Sequence, residues 1–157
     1  VKGAFDDVIR SPYIVRVLLA ELANDGEHSA FYTVDYDGGF NRFEAAAAIG
    51  GVPEADRLMR ERIEASEPLS KSLTETMVVA LEAWGLGHWC GQLDSVPPEW
   101  EDLKGAAEDV DPKTVAREAM ADLDVEAIVL DPSRSGKSKF RHLTEEELQP
   151  VLSASGT

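Results

Sequence analysis

Helix start signals recur at short intervals along this chain, and they constrain its fold more than any other feature. Asp111 before Pro112 places a capping side chain next to a residue suited to the first helical position. Thr144, with Glu147 three residues later, is a capping-box pattern. Apolar residues follow such signals at helical spacing. We therefore predict helices over residues 12–22, 40–49, 53–65, 73–93, 99–108 and 113–123, and a last short helix after Thr144.

Strand-like segments are fewer and shorter. Residues 30–36 are aromatic and β-branched and lead into a turn at Gly38 and Gly39, while residues 125–130 are mostly aliphatic. The chain has 157 residues, of which 43% are hydrophobic, enough for one ordinary core. The sequence therefore predicts a mainly α fold, a single compact helical domain of about six helices with at most two short β-strands, over residues 1–152. Residues 153–157 are predicted to be a frayed tail.

Three glycines interrupt the aromatic second half of the predicted helix 73–93. Gly85, Gly87 and Gly91 lie among Trp84 and Trp89. Each glycine costs about 1 kcal/mol relative to alanine inside a helix unless packing offsets it. We therefore expect a neighbouring element to approach closely here, with both tryptophans mostly buried. A kink or break in the helix is also compatible with this pattern.

Acidic residues outnumber basic ones two to one, with 30 against 15 and a formal net charge of −15. A field of that sign repels nucleic acid and anionic lipid and attracts basic proteins. The charge therefore argues against direct nucleic-acid binding. It also argues against binding to membranes, and no apolar run reaches the roughly 20 residues of a membrane helix. Cys90 is the only cysteine, so no internal disulfide can form. This fits a reducing compartment, and we expect a cytoplasmic location.

The patterns that suggest catalysis or cofactor binding are all incomplete. Residues 131–138 end in Gly-Lys-Ser, but Asp131 stands where a phosphate-binding loop needs glycine. Residues 35–46 have alternating oxygen ligands, but lack the residues that positions five, six and twelve of a calcium loop require. His88 and Cys90 have no further ligands at zinc-site spacing. We therefore predict a protein that is not an enzyme, with no cofactor, metal or catalytic residue.

The acidic residues concentrate between residues 94 and 131, where 12 acidic and three basic residues give −9. A basic loop follows, containing Arg134, Lys137, Lys139 and Arg141. The acidic stretch is either a solvated face on which this loop folds back, or a surface that binds a basic protein as DNA phosphates do. In the second interpretation the partner-binding residues are Glu99, Glu101, Asp102, Glu108, Asp109 and Asp111. The apolar residues expected to face the core beneath them are Leu103, Val115, Met120 and Leu123.

A short segment resembles a known family. Residues 36–43, Tyr-Asp-Gly-Gly-Phe-Asn-Arg-Phe, are similar to the Asn-Gly-Gly-Phe-x-Gln-Phe/Tyr signature of a small helical bacterial family that includes a DNA-mimic protein. Asp37 stands in place of the asparagine and Arg42 in place of the glutamine. The Ala-rich residues 44–51 and the following helix to Ile63 resemble the family's continuation. The resemblance covers residues 36–63 and implies a helical fold and an acidic, DNA-mimicking role.

These observations predict an acidic, non-enzymatic binding protein that engages a basic protein partner. A DNA-binding protein and a nuclease are the two classes of partner that we expect. A DNA mimic, an inhibitor and an immunity protein all fit that description. The alternative is a structural or assembly subunit of a virion or multi-protein complex, with Trp84, Trp89 and Trp100 as apolar anchors. A third interpretation is an enzyme with an unrecognised pocket around residues 84–91.

Overall fold

A computed structural model describes residues 15–23 and 29–154, and this part of the chain has an α+β fold. It contains five α-helices and five β-strands in two antiparallel sheets. The prediction of a mainly α domain with at most two strands is therefore wrong. Two of the additional strands, over residues 17–21 and 40–43, replace predicted helices. The third, over residues 140–142, pairs with the strand expected near residue 130.

The first sheet has three strands in the order β1 (Val17–Glu21), β2 (Ala30–Val34) and β3 (Phe40–Phe43). The strand and turn predicted over residues 30–39 are confirmed. The turn closes when the Asp35 amide donates to the Gly39 carbonyl at 2.8 Å. Gly38 has a φ of 87°, a conformation that favours glycine.

The predicted helix 12–22 is wrong, because its residues 17–21 form strand β1. Residues 17–21 pair antiparallel with β2, with Leu19 opposite Tyr32. Valine and leucine at these positions fit a strand as well as a helix, and pairing with β2 decides between the two. The first part of that predicted helix, residues 12–14, lies outside the described residues.

The predicted helix 40–49 is also wrong. The turn at Gly38 directs residues 40–43 back along β2, where Thr33 faces Asn41. Residues 44–50 then have no regular structure, although four of them are alanines with high helix propensity. Ala46 is buried, so tertiary packing outweighs local propensity in this segment.

Local signals predicted the two long helices correctly. Helix α1 (Pro53–Ala65) begins at the proline, and helix α2 (Leu73–Gly91) begins after the capping box of Ser72 and Glu75. Helix α2 is continuous to Gly91, two residues before its predicted end, so no break interrupts it. It packs against α1 and against two later helices, and it is therefore the central element of the described fold.

The helices and strands after α2 differ from the predicted ones in their bounds and number. Helix α3 (Trp100–Glu108) is followed by α4 (Pro112–Ala119) and a 3-10 turn (Met120–Asp122) in place of one helix over 113–123. Strand β4 (Ile128–Leu130) covers half of the predicted strand, and its partner β5 (Phe140–His142) was not expected. Helix α5 (Glu145–Ala154) extends two residues past the predicted domain end at 152. Residues 155–157 lie outside the described part.

The predicted capping box before α5 is confirmed. The Glu147 carboxylate accepts from the Thr144 amide at 2.9 Å, and the Thr144 hydroxyl accepts from the Glu147 amide at 3.3 Å. Arg141 also donates to Glu147, which joins β5 to the helix. These bonds hold the pKa of Glu147 below its usual value, the Arg141 bond contributing most.

Close packing around α2 explains two of its three glycines. A Cβ on Gly85 would lie 2.3 Å from the Pro112 carbonyl oxygen, and one on Gly87 would lie 2.5 Å from the Met59 sulfur. Gly91 has open space around it. Gly85 and Gly87 therefore allow α4 and α1 to approach, as the sequence predicted, whereas Gly91 does not serve this purpose.

Arg16 joins the first sheet to the helices. Its guanidinium donates to Asp35 at 2.5 Å, to the Gly50 carbonyl at 3.3 Å and to Asp56 near the start of α1. The Asp56 and Asp35 hydrogen bonds raise the pKa of Arg16 above its ordinary value. One cation thus fixes the turn after β2 and the loop before α1 to each other.

The thiol of Cys90 lies in the core and gives a direct test of the packing between α1, α2 and α3. Cys90 is fully buried with Leu103, Ala55 and Ala83. Burial, followed by the negative charge of Glu54, raises the pKa of the thiol and so reduces the thiolate fraction. We expect a disulfide reagent at pH 8 to label native protein about 100-fold more slowly than protein in denaturant. Equal labelling rates would contradict this packing.

Candidate acidic binding surface

Of the six candidate carboxylates, Glu99 directly precedes α3, three lie on α3 and two lie on the turn that leads into α4. Leu103 anchors α3 because its side chain is fully buried among α1 and α2. Asp111 caps α4, and Pro112 occupies the first helical position. One core anchor and one helix cap therefore position residues 99–111, which we call the acidic segment.

All six carboxylates are exposed, as the sequence predicted. None forms an ion pair with another described residue, and the one cation within the acidic segment, Lys104, has no ion-pair partner in the described part either. The exposed residues are Glu99, Glu101, Asp102, Glu108, Asp109 and Asp111.

Asp111 differs from the other five because it also has a structural role. Its carboxylate accepts from the Thr114 hydroxyl at 2.6 Å and from the Lys113 amide at 3.2 Å. The bond from Thr114, and then those from the backbone of the first turn, hold the pKa of Asp111 below its usual value. Asp111 therefore remains charged in mildly acidic solution, where its charge also stabilises the start of α4.

Several acidic residues of the long helices are neutralised by ion pairs. On α1, Arg57 pairs with Glu61 at 2.8 Å and Arg60 pairs with Glu64 at 3.0 Å. Glu82 of α2, which is buried, pairs with Arg62 at 2.5 Å. The acidic segment differs from these helices because six carboxylates without an ion-pair partner among the described residues lie within 13 residues.

The four apolar residues expected beneath the acidic segment do not all face the core. Leu103 and Met120 are buried and Val115 is half-buried, but Leu123 is 55% exposed. The prediction for Leu123 is wrong because α4 ends at Ala119, so the residue follows a 3-10 turn instead of continuing the helical face.

The basic loop does not neutralise the acidic segment within the described structure. Lys139 donates to the Pro132 and Arg134 carbonyls, Arg134 donates to the Phe140 carbonyl, and Arg141 pairs with Glu147. The loop is instead the connection of the β4–β5 hairpin. The interpretation in which it folds back onto the acidic segment is not supported by these contacts.

The incomplete motifs occupy places that do not suit their chemistry. The Gly-Lys-Ser sequence at 136–138 lies in the β4–β5 hairpin and leads into a strand, whereas a phosphate-binding loop leads into a helix. His88 stacks on Trp84 with ring centroids 5.3 Å apart, and Cys90 points into the core. Within residues 15–23 and 29–154 there is no group of three potential metal ligands.

One feature of this region was not visible in the sequence. A groove of about 470 Å³ lies between α1, α2, α3 and the start of α4. Leu58 and Leu86 contribute buried apolar side chains to it, and Ala107 and Val110 of the acidic segment line it directly. Each contributing helix has its own apolar stripe, but only their packing places these residues around one concavity.

No helix in the described part of the chain is long and apolar enough to cross a membrane. A comparison with known protein families, curated proteins and solved structures finds no match to this chain. The resemblance of residues 36–63 to the DNA-mimic family therefore stays a prediction, and the acidic segment is the site on which a function can be argued.

Proposed function

We propose that this chain is a non-enzymatic binding protein whose acidic segment engages a basic protein, a DNA-binding protein or nuclease being the class that fits best. The observation that carries the proposal is six exposed carboxylates within 13 residues, without a cation partner among the described residues. A cytoplasmic site of action is part of the proposal and is supported by the single free, buried cysteine.

The density of charge supports this class of partner. A helix rises about 1.5 Å per residue, so the five carboxylates between residues 99 and 109 are spread over about 15 Å. That is about one charge every 3 Å, roughly half the density of duplex DNA, which carries one about every 1.7 Å. A protein surface that has evolved to bind phosphates would therefore meet a comparable field here.

The first test removes charge without changing shape. Amides replace four of the carboxylates, Glu101, Asp102, Glu108 and Asp109, while Asp111 is kept because it caps α4. The immobilised wild type should capture basic DNA-binding proteins from a cell extract at low salt, and duplex DNA should displace them. The amide variant should bind the purified captured protein about tenfold more slowly, since electrostatic attraction mainly sets the association rate. Its melting temperature should hold or rise slightly, because mutual repulsion falls.

A matched control removes the same amount of charge elsewhere. Amide substitutions at four exposed glutamates outside the acidic segment, Glu67, Glu126, Glu145 and Glu146, also subtract four negative charges. This control should keep nearly all of the wild-type association rate. Equal slowing in both variants would mean that only net charge matters, and no slowing in either would refute the proposal.

A second candidate function is a structural or assembly subunit, which one observation favours. The register places Val17, Leu19, Tyr32 and Phe40 on one face of the first sheet. All but Tyr32 are exposed, and Tyr32 stacks on Phe40 with ring centroids 5.5 Å apart. Exposed apolar faces of this kind commonly mark contacts between proteins. An assembly formed through it would resist high salt, whereas the proposed acidic interface would dissociate.

A further inference from the structure

The groove beside the acidic segment is a formed concavity with an apolar interior. Leu58 of α1 and Leu86 of α2 are 6% and 8% exposed, so the bottom is part of the core. Ala107, Val110 and Pro112 form one side, and Ala65 lies at the opposite edge. The volume of about 470 Å³ falls in the range of pockets that hold several apolar groups.

The charged residues that line the groove cancel on each side, and the excess of negative charge lies in the adjoining acidic segment. On the α1 side, Glu61 pairs with Arg57 at 2.8 Å and Arg62 pairs with Glu82 at 2.5 Å. On the α3 side, Lys104 and Glu108 both line the groove, and neither has an ion-pair partner among the described residues. The acidic segment to which they belong has six carboxylates against one lysine, so a ligand in the groove meets apolar atoms below it and a flank with a net charge of −5.

We propose that this groove takes the apolar side chains of a basic amphipathic helix belonging to the protein partner. Such a helix carries apolar residues at i, i+3, i+4 and i+7, which enter a groove between helices, and lysines or arginines beside them. Those cations would reach Glu108 and its acidic neighbours. This inference rests on the proposed function and adds the apolar anchor that the charge alone does not provide.

Two synthetic peptides of about 15 residues serve as probes. One has leucine along one helical face and lysine elsewhere, and the other has glutamine in place of every leucine, so their charges are equal. We expect the wild-type chain to bind the leucine peptide about tenfold more tightly, because buried apolar anchors contribute most of the affinity of such contacts. Titration calorimetry measures both dissociation constants.

Variants that block the groove test whether the preference for the leucine peptide arises there. Ala65 is exposed at the groove edge, so Ala65→Trp narrows the groove without disturbing the core. This variant should bind both peptides with the affinity that the wild type has for the glutamine peptide. Val110→Trp narrows the groove from the opposite side without a change of charge and repeats the test if Ala65→Trp alters the circular dichroism spectrum. Ala121→Trp, at an exposed position that does not line the groove, should keep the tenfold preference.

The outcomes separate this inference from the proposed function. Equal binding of the two peptides by the wild type, or a preference that survives both blocking variants, overturns the groove as the site. The glutamine peptide tests the acidic segment alone, and it should bind the four-amide variant more weakly than the four-glutamate control. If it binds these two variants equally, the proposed function fails, whatever the groove does.

Discussion

Replacing Gly85 with alanine is expected to lower the free energy of unfolding by about 3 kcal/mol, the upper end of the cost of overpacking a core. The added Cβ would lie 2.3 Å from the Pro112 carbonyl oxygen and 3.1 Å from Ala116. Because the nearest atom belongs to the backbone, α4 must move as a unit to relieve the contact. The gain of about 1 kcal/mol in helix propensity does not compensate.

The measurement is thermal unfolding followed by circular dichroism. A domain of this size loses about 2–4 °C of melting temperature per kcal/mol, so a decrease of about 6–12 °C is expected for Gly85→Ala. Gly105→Ala is the matched control, since Gly105 lies inside α3 with open space around it. It should stabilise the protein by about 0.5–1 kcal/mol. If the two variants changed stability in the same direction, the close approach of α4 to α2 would be wrong.

Replacing Leu103 with alanine is expected to cost about 2–5 kcal/mol, the usual range for deleting a buried leucine side chain. Leu103 is fully buried and is the only residue of α3 that is. It joins the helix that carries the acidic segment to the cluster around Ala55, Ala83 and Cys90. Loss of this contact leaves a cavity that the surrounding helices fill only in part.

Denaturant unfolding measures this cost, and Leu123→Ala provides the control. Leu123 is 55% exposed, so its truncation should change stability by no more than about 0.5 kcal/mol. The Leu103 variant should also bind a basic partner more weakly although no charge has changed, because α3 no longer holds its carboxylates in fixed positions. A small stability loss, similar to that of Leu123→Ala, would be incompatible with Leu103 as the anchor of α3.

These two variants connect the packing of the helices to the proposed binding surface. Gly85 sets the distance between α2 and α4, and Leu103 fixes α3 against the same core. The acidic segment comprises α3 and the turn into α4, and the groove lies beside it. The shape of the acidic segment and of the groove therefore depends on Gly85 and Leu103, which carry no charge and are buried.

Elements whose hydrogen bonds are local could be predicted from the sequence. Pro53 suits the first helical position, and the capping box of Ser72 and Glu75 satisfies backbone groups within three residues, so α1 and α2 begin at the predicted residues 53 and 73. The exposure of the acidic segment was equally predictable, because charged side chains without buried partners remain in water.

The first sheet, the missing ion pairs and the groove depend on contacts between residues that are distant in the sequence. Residues 17–21 and 40–43 are compatible with a helix until β2 provides hydrogen-bond partners up to 17 residues away along the chain. The acidic segment has no ion-pair partner among the described residues, and three cations of the β4–β5 hairpin bond to carbonyls and to Glu147 instead. The groove exists because α1, α2, α3 and α4 each contribute part of its lining. Helical hydrogen bonds join residues four apart, whereas strand pairing and concave surfaces join distant residues, whose positions local patterns do not encode.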